Sequence, residues 1–140
     1  MGGYGAFKAA FLRPDLYSVA GSFSGALALS FDSEIVDEER MKEFSFVFGD
    51  LSKFPGSPND PLTWPEMAAK DPERYPELYA ACGLQDFLLE ANRAFVGKAR
   101  ALGIPLAYVE EPGIHDWHFW NSQIATFLDH YVKPANQPQA

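Results

Sequence analysis

Two kinds of apolar run alternate along the second half of the chain. Residues 78–82 (Leu78, Tyr79, Ala80, Ala81, Cys82) form a short, unbroken apolar run, which predicts a strand buried on both faces. Over residues 87–102, Leu88, Ala91, Phe95, Ala99 and Leu102 recur at helical spacing, while Glu90, Lys98 and Arg100 fall off that stripe. Gly103 stops this helix. Residues 105–109 read as another strand. Trp120, Ile124, Phe127, Leu128 and Tyr131 then stripe a final helix, whose continuation Pro134 prevents, and residues 136–140 form a polar tail.

The first half is less regular. Residues 2–12 read as a helix with one very small face, made by Gly2, Gly3, Gly5, Ala6, Ala9 and Ala10. Glycine costs about 1 kcal/mol relative to alanine inside a helix, so close approach to a strand or ligand is the expected compensation. Residues 17–23 read as a short strand ending at Ser24-Gly25. Asp32-Ser33-Glu34 could begin a short acidic helix, and the apolar stretch 44–48 reads as a strand or a buried turn. Residues 49–65 carry Pro55, Gly56, Pro58, Asn59, Asp60 and Pro61, which is loop chemistry. Thr63-Trp64-Pro65-Glu66 looks like a helix start, with Thr63 or Trp64 as the cap. The order is therefore helix, strand, excursion, strand, helix, strand, helix. Such alternation predicts an α/β domain with a parallel sheet covered on both faces.

Composition narrows the classes of function. With 140 residues and 47% apolar content, the chain supports one domain with a real core. It has 19 acidic against 11 basic residues and no basic cluster, which argues against a nucleic-acid partner. No stretch approaches the roughly 20 apolar residues of a membrane span. Cys82 is the sole cysteine, so no internal disulfide forms, and its apolar neighbours suggest a small core residue.

The strand ends carry the candidate chemistry. In open α/β sheets, sites form at the carboxyl ends of strands. Asp86 lies four residues past one strand and His115 six past the next, so both are delivered to one sheet edge. A carboxylate there can bond one imidazole nitrogen while the other faces a nucleophile. Each residue also has a plainer role. Asp86 suits the N-cap of the following helix, and His115 could be an ordinary loop histidine. Asp116 could compete as the acid or cap the last helix. His115 and His118 lie three apart, but no acid or cysteine cluster supports a metal site. His118 and His130 read as ordinary helix residues. Ser22 and Ser24 are the nearest serines, yet Gly21-Ser22-Phe23-Ser24-Gly25 does not match G-x-S-x-G.

Three motifs resemble a known family. Met1-Gly2-Gly3-Tyr4-Gly5-Ala6 resembles the segment after the nucleophile in the esterase D-like branch of α/β-hydrolases. That branch includes S-formylglutathione hydrolases and small tributyrin or acetyl esterases. Residues 18–25 are similar to its next strand. Cys82-Gly83-Leu84-Gln85-Asp86 is similar to its acid motif, and Gly113-Ile114-His115-Asp116-Trp117 to its histidine motif. Phe48-Gly49-Asp50 and the loop after it look most like the tributyrin-esterase subgroup.

The resemblance implies the C-terminal part of an α/β-hydrolase fold, with three mainly parallel strands and flanking helices. Residues 1–140 would be a partial domain that begins just after the elbow serine. The implied activity is that of a serine carboxylesterase of short acyl esters, without cofactor or metal. Asp86 would be the triad acid, His115 the base, and the N–H of Met1 an oxyanion donor. The nucleophile would precede Met1, so the chain alone is expected to be inactive. Without the preceding strand, residues 17–23 would form an exposed edge, and the chain would form homo-oligomers or aggregate. A cytoplasmic location is the expectation.

Overall fold

In the computed structural model, which describes residues 1–32, 34 and 36–132, the apolar run at 78–82 lies at the centre of the molecule. It belongs to β2 (Glu77–Gly83), which is flanked in parallel by β1 (Val19–Phe23) and by β3 (Ala107–Glu111). The register sets Ala20 beside Leu78, and Val109 beside Ala81. Side chains alternate across a strand. Leu78 and Ala80 accordingly enter a core shared with α1 (Gly2–Leu12) and α4 (Leu89–Ala101). Tyr79 and Ala81 enter a smaller one under α5 (Trp117–Tyr131). Both faces are covered, which is why β2 reads as continuously apolar. The fold is α/β, as the order of runs predicts.

Three elements begin later than their sequence patterns indicate. β1, read over 17–23, starts at Val19. β3 starts at Ala107, not at 105; Pro105 has no N–H to give to a ladder. The helix read over 87–102 starts at Leu89, because Asp86 first closes a turn with the Leu88 N–H.

The small face of α1 needs correcting. The buried stripe of this helix is made by the large residues Tyr4, Phe7 and Phe11 together with Ala10 from the small set, and Gly2 and Gly5 are exposed. Only Gly3, of the three glycines, makes the close approach. A Cβ added there would lie 2.7 Å from the Gly25 Cα in the turn after β1. A Cβ at Gly5 would meet nothing within 4 Å.

The stretch 44–48 is neither a strand nor a buried turn. It is the end of α2 (Glu38–Phe48), whose first turn is held by the Asp37 side chain accepting the Arg40 N–H at 2.8 Å. Phe44 and Phe48, one turn apart, join Phe31 and Phe54 in an aromatic cluster, with Phe48 and Phe54 ring centres 4.9 Å apart. Phe46, on another face, is 93% exposed. Ser33 of the suggested acidic helix, Pro134 and residues 136–140 lie outside the described residues.

The excursion supplies core. Trp64 opens α3 (Trp64–Ala68) and is wholly buried, stacked 5.8 Å from Phe11. Its indole N–H donates to the Pro58 carbonyl at 2.9 Å, so the burial leaves that donor paired. Thr63 stands at the cap position but does not cap; its hydroxyl donates back to the Asp60 carbonyl at 2.7 Å. Tyr4 Oη donates to the Asn59 carbonyl at 2.7 Å, which ties this loop to α1. Among the described residues, no helix is long and apolar enough to cross a membrane.

Two helical glycines two residues apart, and so on opposite sides of the helix, therefore make opposite predictions. Gly5→Ala should stabilise the chain by about 0.5–1 kcal/mol, the ordinary gain from removing an unneeded helical glycine. Gly3→Ala should destabilise it by about 1–3 kcal/mol, because backbone must move to admit the methyl. Urea unfolding of the two variants beside the parent reads both signs.

Candidate active site

β1, β2 and β3 are parallel, so their carboxyl ends deliver Ser24, Asp86 and His115 to one edge of the sheet. The amino end of α1 lies at the same edge. The site is assembled by the two connections after β2 and β3, and each residue of Gly83-Leu84-Gln85-Asp86 has a distinct task. Gly83 lets the chain pass the next loop closely, since a Cβ there would lie 2.3 Å from the Gly113 carbonyl oxygen. The Leu84 N–H extends the ladder to the Glu111 carbonyl at 2.9 Å. Gln85 clasps the histidine loop twice. Its main-chain N–H donates to the Gly113 carbonyl at 3.0 Å, and its side-chain oxygen accepts the Gly113 N–H at 2.8 Å. Asp86 then reaches His115.

The Asp86 carboxylate is fully buried and accepts from both directions. Oδ1 takes the Leu88 N–H at 2.8 Å; Oδ2 lies 3.0 Å from His115 Nδ1. The turn-capping and histidine-pairing roles of Asp86 thus coexist in one side chain. A carboxylate only accepts, so the proton of a neutral His115 sits on Nδ1, and Nε2 is left as the acceptor. The ring is 31% exposed and packs against Phe87 at 4.7 Å and Trp120 at 4.8 Å. Asp116 does not compete for His115 Nδ1. Its side chain accepts the Phe119 N–H at 3.1 Å and caps α5.

His115 opens onto a cavity of about 390 Å³ whose walls include Met1, Gly2, Ser24, Trp117 and Trp120. Met1 is the N-cap of α1, and Met1, Gly2 and Gly3 border the cavity. Ser24 also borders it, but its side chain is buried and its Oγ accepts the Trp120 indole N–H at 3.0 Å.

Several structural partners have no clear signal in the sequence. Gln85 sits inside the motif without an apparent role. Asn92 lies in α4, wholly buried, and its amide donates to the Gly25 carbonyl at 2.9 Å. Gln123 takes a core position in α5. It accepts from Tyr79 Oη at 2.7 Å and donates to Glu111 at 2.9 Å. Leu128, assigned to the apolar stripe, is instead exposed. A polar residue at a core-facing helical position is the available clue for Asn92 and Gln123.

No family model matches the chain. An acetyl esterase of Caldicellulosiruptor saccharolyticus is 33% identical over 134 residues, which are 92% of this chain and 50% of that protein. Among solved structures, an S-formylglutathione hydrolase from Staphylococcus aureus superposes with a TM-score of 0.78 and 26% identity, over 95% of this chain and 52% of that one. FphF, a fluorophosphonate-binding serine hydrolase from Staphylococcus aureus, gives 0.80 and 25%, over 95% and 51%. The fold is that of part of an α/β-hydrolase. The relatives it matches are esterase-type proteins of that fold, and the chain spans about half their length.

Cys82 gives the site a measurable alkaline signature. Burial, with the Asp86 charge as a lesser cause, pushes its thiol up to about 12 from an unfolded value of 9.0. A folded value above the unfolded one stabilises fully below pH 9, and the contribution is lost as pH rises toward 12. Unfolding free energy should therefore fall by about 1 kcal/mol between pH 9 and 10. Tyr4, Tyr79, Tyr108 and Tyr131, raised by burial from their ordinary 10.0, add to the same downward slope over this interval. Denaturant titrations at the two pH values should show a slope in Cys82→Ala that is shallower than the parent's by about 1 kcal/mol.

Proposed function

We propose that this chain is the triad-completing portion of a serine carboxylesterase of short acyl esters. In this reading Asp86 is the acid, His115 the base, and the nucleophilic serine lies one residue before Met1 in the full-length parent. The observation that carries it is the 3.0 Å bond between His115 Nδ1 and a fully buried Asp86 carboxylate at the rim of an open cavity. The names of the relatives, an acetyl esterase and an S-formylglutathione hydrolase, support the reaction class.

The chemistry follows from that bond. Asp86 holds the Nδ1–H tautomer, so Nε2 accepts the serine proton as oxygen attacks the ester carbonyl. The resulting imidazolium is stabilised by the buried carboxylate and returns the proton to the leaving alcohol. Water then attacks the acyl-serine carbonyl, losing its proton to Nε2, which returns that proton to the serine oxygen as the acid leaves. The developing oxyanion needs preorganised donors. The main-chain N–H of Met1, at the start of α1, is the proposed donor here, which requires its nitrogen to sit in a peptide bond. The cavity is mainly apolar, which suits a short acyl or alcohol group and calls for no cofactor.

The 140-residue chain should not hydrolyse p-nitrophenyl acetate above a matched histidine-containing control. A longer form with the serine-bearing segment restored should do so, and His115→Ala in that form should cost about 10³-fold or more. Stoichiometric fluorophosphonate labelling of the 140-residue chain, lost on Ser24→Ala, overturns the assignment of the nucleophile.

A second reading concerns the chain by itself, as a self-associating half-fold without catalysis. Among the described residues, β1 is an edge of the sheet, paired only with β2. An open parallel edge presents main-chain donors and acceptors to a second copy. Sedimentation at micromolar concentration should show a dimer or larger species. A monodisperse 15.6 kDa species with cooperative thermal unfolding excludes this reading.

A further inference from the structure

Ser24 is, among the described residues, the one non-glycine residue with a positive φ, at 52°. It directly follows β1, and its N–H donates to the Ala81 carbonyl at 2.8 Å before the chain turns away. A residue with a Cβ is disfavoured in the left-handed region, and glycine would adopt the same backbone freely. What glycine cannot supply is the hydroxyl. Strained positions of this kind persist where the surrounding structure uses the side chain.

The Ser24 hydroxyl has a defined use. Its Oγ accepts the Trp120 indole N–H at 3.0 Å, across 96 residues of sequence. Trp120 stands in the first turn of α5, and its ring meets the His115 imidazole edge to face, with centres 4.8 Å apart and planes at 90°. The bond to Asp86 holds Nδ1, but a hydrogen bond tolerates tilting of the ring, against which Phe87 and Trp120 pack. A firm packing contact stiffens the plane and hence the direction of Nε2. A tryptophan whose own torsions are pinned by a hydrogen bond can supply that contact; a loosely held ring cannot.

We propose that Trp120, anchored by Ser24, is a positioning residue for His115, aiming Nε2 into the cavity. The proposal rests on reading His115 as the base, and its test is separable from that reading. Trp120 does not touch the reacting atoms; it acts through the imidazole. Ser24 contributes an acceptor for the indole and no nucleophile.

The test uses histidine-selective nitrogen-15 labelling of the 140-residue chain, with spectra recorded where the rings are neutral. The parent should show His115 in a single tautomer with a slowly exchanging Nδ1 proton. Ser24→Gly fits the local backbone and keeps the fold, yet it removes the anchor. Trp120→Phe keeps an aromatic ring and removes the donor. Both should lose the slowly exchanging proton and shift toward a tautomer-averaged pattern, whereas a merely structural role would lower thermal stability and leave that pattern alone. An unchanged His115 pattern in folded Ser24→Gly overturns the proposal. Asp86→Ala is the separating arm. If it abolishes the Nδ1 proton while Ser24→Gly does not, the anchoring fails and the acid–base pair stands. If neither substitution alters His115, both fail.

Discussion

The Asp86 carboxylate is withdrawn from water, and a charge so placed is tolerated only when donors surround it. Two are present: the Leu88 N–H on one side and His115 Nδ1 on the other. The first fixes the turn that starts the run into α4. The second fixes the loop after β3. Removing either partner would leave a buried acceptor short of a bond, so the two connections are held in a mutual register at the sheet edge. The imidazole tautomer follows from the same bond, because the carboxylate can only accept.

That pairing depends on backbone contact made one step earlier. Asp86 can meet His115 only if the ends of β2 and β3 stay together beyond the sheet. Gly83 permits near-contact with Gly113, and Gln85 extends the strand pairing by two further bonds. A comparable device operates on the other side of β2, where Gly3 of α1 meets Gly25 after β1 and the Asn92 amide bonds the Gly25 carbonyl. The site is thus built on rigid strand ends whose side chains have been reduced to let main chains approach. Such close seating holds Asp86 and His115 in a fixed relative position.

Away from the edge, stability comes from two cores of unequal character. The larger is aromatic, with Phe7, Phe11, Trp64 and Phe95 in mutual contact beneath α1 and α4. The smaller, under α5, combines Tyr79, Phe119 and Phe127 with a buried glutamine. In it, Gln123 bridges Tyr79 and Glu111, joining α5 to the strand that leads into the histidine loop. The cap of α5 is Asp116, next to His115, so the start of the helix and the placement of the imidazole are set together.

Sequence alone determined the order of elements, the parallel arrangement and the edge where Asp86 and His115 meet. Those follow from local periodicity and from chain direction, both of which are written residue by residue. It also left Asp86 divided between capping and pairing; the fold decided that one carboxylate does both, since its two oxygens face different elements. The run at 44–48 misled because phenylalanines four apart mark a helix only when the third dimension shows which of them is covered. The glycines of α1 look alike in sequence, yet Gly3 alone faces another main chain. Gln85, Asn92, Gln123 and the link from Ser24 through Trp120 to His115 were decided by tertiary structure. Their partners lie far away in the chain or in main-chain atoms, and main-chain atoms are the same in every residue.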